Sequence, residues 1–279
     1  MTKRKDATVY RGQPWVYAVL AVGLVVVCGP FVWMVLSAFK SEREIYANPP
    51  TWIPENPTLA NFTDLFSRMD VGTYLFNSVF IAVAATVGNV LFCSMVGYAL
   101  AKIEFAGRRA VFGIVLTKMM IPGMVLALPT YVIVANLGLV DTYAGIILPG
   151  LAGPMGVFLM RQFIGGLPDD LMAAARVDGA GELRIFARIV LPLCRPAMAT
   201  LGLLTFLGSW NSFIWPMYVA QSKEMYTLPV AIALLTKEAV NLQYGQLLAG
   251  SVTLVVPIIV VFVLFQRHFV QGIATTGLK

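Results

Sequence analysis

The chain has 279 residues, of which 58% are hydrophobic and only 12% are charged. Because a soluble domain carries about 25% charged residues, this composition excludes an ordinary soluble protein and predicts an integral membrane protein. Apolar segments of about 20 residues indicate membrane helices, whereas a β-barrel would show short alternating segments. The net charge of +6 does not indicate nucleic-acid binding, because the basic residues lie at the ends of the apolar segments, where membrane topology accounts for them.

The chain opens with a polar, basic segment, 1–13, which is followed by an apolar run over 14–39 that contains Gly29 and Pro30. A signal peptide is the alternative, but its apolar core spans about 7–15 residues, and this run is longer. We therefore predict a cytoplasmic segment 1–13 and one all-α transmembrane domain over 14–279. Its six predicted spans cover residues 14–39, 74–101, 110–137, 142–163, 196–220 and 246–265.

The distribution of basic residues predicts the orientation of these spans. Fourteen of the 20 Lys and Arg residues lie at the two termini or in the segments 102–109 and 161–195, five lie on the opposite side, and Lys118 lies within a span. Cytosolic loops carry the excess of Lys and Arg. Both termini and the polar segment 167–192 are therefore predicted to be cytosolic.

Prolines interrupt three of the predicted spans, at Pro122, Pro129, Pro149, Pro154 and Pro257. Neighbouring helices re-satisfy the freed backbone groups of such residues, so one interpretation is ordinary membrane packing. The other is a set of kinks that permits alternate packings of the bundle, as transport requires.

Lys118 is the only formal charge well inside a predicted span. It is either a side chain that snorkels to the interface or part of a transport pathway. No Asp or Glu lies centrally in any predicted span, which argues against a carrier driven by protons or sodium ions.

Polar and aromatic residues occur together in the fifth span, and two polar residues open the second. They serve either as interhelical contacts or as a pathway lining, since polar edges beside aromatic planes suit a hydroxyl-rich solute such as a sugar. With Lys118, the candidate pathway residues are Asn77, Ser78, Lys118, Trp210, Asn211 and Trp215.

No catalytic chemistry is indicated by the sequence. The sequence contains no phosphate-binding glycine loop, no metal-ligand cluster and no nucleophile–His–acid set. Its single histidine, His268, lies at the end of the last predicted span. We assign no catalytic or metal residue and expect no cofactor on this chain. If ATP drives the protein, another chain hydrolyses it.

The segment 167–192 predicts a helix, a sharp turn and a second helix. Pro168 suits a first helical turn, and Asp169 and Asp170 favour its positive end. Asp178 and Gly179 end this helix, because glycine takes left-handed backbone angles cheaply. The second helix is predicted over 181–190.

Within this segment, Ala174-Ala175-Arg176, Asp178-Gly179-Ala180 and Leu191-Pro192 resemble the cytoplasmic coupling loop of ABC importer permeases, in the carbohydrate (maltose-type, binding-protein-dependent) inner-membrane family. Further matching segments are 48–50, 52–54, 57–62, 77–78, 138–143, 210–211 and 266–279. The resemblance implies the transmembrane domain of a type I ABC importer, which forms half of a pathway for a sugar or related polyol.

The resemblance also implies partners and site residues. The partners are a second permease subunit, two ATPase subunits that hold ATP and Mg, an extracytoplasmic solute-binding protein and the lipid of a bacterial inner membrane. Ala173 stands where the family's motif begins with Glu, which leaves Asp169 or Asp170 as nearby acids for pairing with an ATPase. The implied coupling residues are Ala173, Ala174, Ala175, Asp178, Gly179, Ala180, Leu191 and Pro192. The alternatives are a glycerol-phosphate-like solute, a secondary transporter, or a membrane scaffold without transport.

Overall fold

The structure, a computed structural model, describes residues 14–235 and 243–276, with side chains as far as residue 263. The described residues form helices and turns without a strand. The helices are α1 Pro14–Ala38, α2 Glu42–Ile45, α3 Ala60–Arg68, α4 Val71–Lys102, α5 Arg108–Met120, α6 Gly123–Asn136, α7 Tyr143–Ile147, α8 Pro154–Gly165, α9 Asp169–Val177, α10 Glu182–Ile185, α11 Leu191–Leu193, α12 Arg195–Trp210, α13 Ile214–Val219, α14 Leu228–Leu235 and α15 Tyr244–Thr276.

Among the described residues, three helical segments are long and apolar enough to cross a membrane alone: Pro14–Ala38, Val71–Lys102 and Tyr244–Val263. Three bent pairs pass the same test together, so the number of spans lies between three and six. The pairs are Arg108–Met120 with Gly123–Asn136, bent by 113°, Tyr143–Gly150 with Pro154–Gly165, bent by 43°, and Glu182–Leu193 with Arg195–Trp210, bent by 80°. The predicted number of six spans stays a prediction.

The breaks within the bent helix pairs coincide with only some of the prolines. Pro122 is the N-cap of α6, and the second break lies just before Pro154, the first residue of α8. Proline costs no hydrogen bond at these positions, because the first N–H groups of a helix have no carbonyl partner within the helix. In contrast, Pro30, Pro129 and Pro257 lie inside α1, α6 and α15, so the interruption predicted at Pro129 is wrong.

The residues of the predicted fifth span, 196–220, are divided between two helices. The first, α12, ends at Trp210, and the backbone N–H of Asn211 closes it by donating to Leu207 and Ser209. The short helix α13 begins only at Ile214.

The described residues form two compact units, 14–69 with 243–253, and 70–235 with 254–276. In the first unit the buried ammonium of Lys40 lies 4.4 Å above the Trp33 ring and donates to the Thr51 carbonyl. Asn61 donates to the carbonyls of Ala38 and Lys40 at 2.8 and 2.7 Å. The polar segment that follows α1 is therefore folded. The predicted single domain over 14–279 stays a prediction.

The second unit is built around α4, which packs against α8 and α12. Gly97 permits a close approach of α4 and α8, because a Cβ there would lie 2.8 Å from the Met160 Cβ and 2.9 Å from the Arg161 backbone nitrogen. One buried apolar cluster joins these helices to the segment 167–192. Its buried members are Cys93, Tyr98, Leu100, Val157, Met160, Ile164, Met172, Ile185, Phe186, Val190, Cys194, Ala197 and Leu201.

Candidate functional site

The polar segment 167–192 folds as the predicted helix, turn and helix. Its first helix, α9, ends at Asp178, and Gly179 follows with φ of +78°. The N–H of Gly179 donates to Arg176 at 3.0 Å, and the N–H of Ala180 donates to Ala175 at 2.9 Å. These two bonds form a Schellman motif, which satisfies the last carbonyls of a helix and requires the left-handed residue at this position.

The second half differs from the prediction in its regularity. The helix α10 covers only Glu182–Ile185, after which a π-helical turn, Phe186–Val190, leads into α11. The turn buries Phe186 and Val190. Single π-turns are frequent at functional sites, and this one directs both side chains into the cluster formed with α4 and α8.

Two polar connections fix the segment to the end of α4. The Lys102 ammonium forms an ion pair with the Asp169 carboxylate at 2.6 Å and donates to the Leu167 carbonyl at 2.7 Å. The hydrogen bond and the charge of Lys102 hold the pKa of Asp169 below its ordinary value. The start of α9 is therefore attached to α4.

The second connection involves Tyr98 of α4, which is 3% exposed. Its hydroxyl donates to one Glu182 oxygen at 2.5 Å, while the Arg176 Nε donates to the other at 2.7 Å. The hydrogen bond from Arg176 is the largest of the effects that lower the pKa of Glu182, and the bond from Tyr98 adds to it. One carboxylate thus joins α9, α10 and α4.

The outer face of the segment carries apolar residues on both sides of its turn. Ala173 and Ala174 are exposed, and Val177 and Leu183, on either side of the turn, are 88% and 77% exposed. The other implied coupling residues divide between the two faces: Asp178, Gly179 and Pro192 are exposed, whereas Ala175, Ala180 and Leu191 are half-buried against the cluster.

A cavity of about 810 Å³ lies between α4, the broken helices and the end of α12. Its wall combines aromatic, hydroxyl and amide groups, among them Trp215, Phe213, Asn211, Ser209 and Thr205. Of the described residues on this wall, Lys118 alone carries a formal charge. The cavity lies at the breaks between α5 and α6 and between α7 and α8, where membrane proteins place polar backbone that lines a pathway.

Three of the six predicted pathway residues, Lys118, Asn211 and Trp215, line this cavity. The indole N–H of Trp215 donates to the Ile146 carbonyl at 3.1 Å, and the Asn211 side chain donates to Leu207 at 2.8 Å. Both side chains are thereby held in place at the wall.

The other three predicted pathway residues lie elsewhere and hold helices together. Asn77 donates to the carbonyls of Glu224 and Tyr226 at 2.7 and 2.9 Å and accepts from Tyr143 at 2.6 Å. The hydroxyl of Ser78 accepts from the N–H of Leu228 at 2.8 Å. The third residue, Trp210, is buried, and its indole donates to the Leu254 carbonyl at 3.2 Å.

Asn89 is a residue that the sequence did not bring forward. Its amide donates to the Gly150 carbonyl at 2.8 Å, and its oxygen accepts from the Thr205 hydroxyl at 3.2 Å. Gly150 and Thr205 both line the cavity. The available signal was a lone amide in the middle of an apolar helix, which often forms interhelical hydrogen bonds.

Apolar helices, a broken-helix cavity and a polar helix–turn–helix at the helix ends define a helical membrane transport protein. Residues 93–275 match the family described as the binding-protein-dependent transport system inner membrane component, and the chain belongs to this family. This confirms the resemblance to ABC importer permeases. The chain is thus a permease component of an ABC importer rather than a catalytic subunit.

Relatives cover nearly the whole chain. It is 43% identical over 253 residues to the arabinooligosaccharides transport system permease protein AraQ of Halalkalibacterium halodurans, covering 90% of each chain. It is 33% identical to the diacetylchitobiose uptake system permease protein NgcG of Streptomyces coelicolor, covering 92% of this chain and 86% of that one. It is 31% identical to the sn-glycerol-3-phosphate transport system permease protein UgpE of Yersinia enterocolitica, covering 92% and 94%.

A solved structure confirms the predicted fold class. A chain of a bacterial ABC transporter involved in the import of the acidic polysaccharide alginate matches with a TM-score of 0.80. The match covers 96% of this chain and 100% of that one, at 22% sequence identity. The predicted all-α fold of an ABC importer permease is therefore right.

Proposed function

We propose that this permease forms half of the translocation pathway for a sugar or related polyol, and that the segment 167–192 couples it to a partner ATPase. The observation that carries the proposal is the exposed apolar turn of this segment, which is joined to the cavity-bearing helices by a shared buried cluster. Relatives named for arabinooligosaccharides and diacetylchitobiose support the solute class.

The cavity suits a hydroxyl-rich solute. Trp215 and Phe213 offer aromatic planes to apolar sugar faces, and Asn211, Ser209 and Thr205 offer donors and acceptors to its hydroxyl groups. Sites of this kind combine apolar walls with a few placed polar groups. The volume of about 810 Å³ lies within the range of about 300–1,000 Å³ that is typical of small-molecule sites.

The coupling surface is the outer face of α9 and its turn. Val177 and Leu183 form an apolar contact on either side of Gly179, with Ala173 and Ala174 beside it. Asp169 is engaged with Lys102, whereas no partner of the Asp170 side chain occurs in the described part of the chain. Asp170 is therefore the acid that we assign to the role left open by Ala173.

The complete transporter contains a second permease, two ATPase subunits that bind ATP and Mg, and an extracytoplasmic solute-binding protein. Its ATPases contact the cytosolic face, on which we place both termini and the segment 167–192. ATP binding closes the ATPase pair, and the segment passes this movement to the helices around the cavity. The secondary-transporter alternative is set aside, because the family consists of binding-protein-dependent systems.

The test is purification of the tagged chain with its bound subunits, followed by reconstitution in lipid vesicles with the binding protein. ATP hydrolysis and uptake are measured with arabinotriose, diacetylchitobiose and sn-glycerol 3-phosphate. Stimulation of hydrolysis together with uptake by one of the two oligosaccharides is the expected result. Uptake driven by an ion gradient without ATP, or ATPase subunits missing from the purified material, would overturn the proposal.

An anionic polyol such as a glycerol phosphate is a second candidate, favoured by the position of Lys118 on the cavity wall and by the UgpE relative. Lys118→Met discriminates between the two solutes. The substitution removes the charge and keeps an unbranched side chain, so uptake of a neutral oligosaccharide persists, whereas uptake of a phosphorylated solute falls. If sn-glycerol 3-phosphate alone stimulates the wild-type transporter, the sugar assignment is wrong.

A further inference from the structure

Helix α4 contacts both the segment 167–192 and the broken helix at the cavity through buried polar side chains. At its cytosolic end Tyr98 bonds Glu182, and nine residues earlier Asn89 bonds Gly150. We propose that Tyr98 is a positioning residue that fixes the segment 167–192 to α4, and that α4 carries movements of this segment to the cavity through Asn89. This inference rests on the proposed function.

The contact at Tyr98 is built for a fixed geometry. The ring packs at 5.6 Å between centroids against Phe186, and the hydroxyl meets Glu182 at 2.5 Å. The opposite oxygen of Glu182 is occupied by Arg176. Because hydrogen bonds to ionised groups are short and strong, the two loop helices are held to one point on α4.

Between its two ends, α4 is continuous. The nine residues from Asn89 to Tyr98 span about 13 Å of helix at about 1.5 Å per residue. Throughout this stretch α4 is pressed on α8, with Gly97 against Met160 and Cys93 bonded to the Gly153 carbonyl at 3.5 Å. A tightly packed regular helix has little freedom to absorb a displacement, so its two ends move together.

At the far end, Asn89 bonds two residues of the cavity wall. Gly150 lies at the break between the two halves of a bent pair, and Thr205 lies on α12. A shift of Asn89 displaces both or breaks both bonds. The hydrogen bonds of Asn89, at 2.8 and 3.2 Å, thus connect α4 to the cavity wall that faces the solute.

The test is Tyr98→Phe in the assembled transporter, with Tyr131→Phe as the matched control. Each change removes one hydroxyl, but Tyr131 accepts only an exposed 3.3 Å bond from Gln221. We expect Tyr98→Phe to lower the solute moved per ATP hydrolysed by roughly tenfold to a hundredfold, the size of the effect when a bond to a charged acceptor is lost. The half-saturating solute concentration and the thermal midpoint of the complex stay near those of the control.

A double-mutant cycle separates this role from a merely structural one. Glu182→Ala and Tyr98→Phe together are expected to reduce the transport ratio no more than the larger single change, because both remove the same contact. The inference would be overturned if the reduction in the double variant equalled the product of the two single reductions. A parallel loss of hydrolysis, uptake and thermal midpoint would also overturn it.

Amide hydrogen exchange provides a readout that does not depend on transport. In the assembled complex, Tyr98→Phe is expected to accelerate exchange over 182–190 and also over 150–157, and Tyr131→Phe is expected to accelerate neither. Acceleration confined to 182–190 would overturn the role of α4, even in a complex that transports. If the wild-type complex lacks solute-stimulated hydrolysis while Tyr98→Phe still produces both accelerations, the proposed function is refuted and α4 remains a mechanical connection.

Discussion

Lys102 and Asp169 form an ion pair of 2.6 Å between the end of one apolar helix, α4, and the start of the helix–turn–helix over 167–192. The two side chains differ greatly in environment, since Lys102 is 6% exposed and Asp169 is 84% exposed. The buried ammonium also donates to the Leu167 carbonyl. A single lysine therefore fixes both the backbone that enters α9 and its first acidic side chain.

The pH dependence of this contact follows from the direction in which it shifts the pKa of Asp169. Lys102 lowers the pKa of Asp169 in the folded protein, so the contact stabilises the fold above the unfolded value of about 3.9 and is lost as the pH falls through the folded value. We expect Asp169→Asn to lower the thermal midpoint of the full-length chain at pH 7 and the difference to vanish in strong acid. Asp170→Asn, which removes an acid of the same turn, serves as control. A difference that grows as the pH falls would contradict the assignment.

Gly179 is expected to be intolerant of a side chain for backbone reasons alone. Its φ is +78°, yet no atom lies within 4 Å of the position that a Cβ would take, so Gly179→Ala costs about 1–2 kcal/mol through the left-handed conformation. The turn shifts, and transport falls relative to ATP hydrolysis in the reconstituted transporter. Gly181→Ala is the matched control, because Gly181 has φ of −71° and equally open space. Equal behaviour of the two variants would contradict this explanation.

Gly97 is expected to be intolerant for the opposite reason. A Cβ there meets the Met160 Cβ at 2.8 Å and the Arg161 backbone nitrogen at 2.9 Å, and backbone atoms of α8 cannot move aside as a flexible side chain does. Gly97→Ala should cost about 1–3 kcal/mol of stability, as overpacking of a core does. Thermal unfolding in detergent measures the loss. Gly113→Ala, on α5 with no atom within 4 Å, should not lower the midpoint, because alanine has the higher helix propensity.

Alanine substitutions of Asn77 and Asn211 are expected to have different effects, the first on stability and the second on transport. Asn77 is buried with three hydrogen bonds, each worth about 0.6–1.7 kcal/mol inside a membrane protein, so Asn77→Ala lowers the thermal midpoint strongly. Asn211 is exposed at the cavity wall, so Asn211→Ala leaves the midpoint near that of the wild type and raises the solute concentration for half-maximal uptake. The reverse pattern would place the solute at Asn77.

The helix–turn–helix was predictable because its determinants are local. Pro168, the paired acids and the Asp178-Gly179 turn each act within one helical turn. The partners of Asn77, Tyr98 and Asn89 on other elements were not predictable, since they lie at least 61 residues away in the sequence. Proline alone also misled, because a proline inside a membrane helix breaks it only where packing favours the break.

The occupied acids of the segment 167–192 have a consequence for how the transporter is held together. On the proposed function, with Asp169 bonded to Lys102 and Glu182 to Arg176, the outer face meets an ATPase through Val177, Leu183 and the neighbouring alanines, and Asp170 is the acid left for an ion pair. Dissolved ions screen exposed charges over about 8 Å at physiological strength and do not weaken apolar contact. On the proposed function, concentrated salt should leave the subunits assembled, whereas agents that solvate apolar surface, such as urea, should separate them.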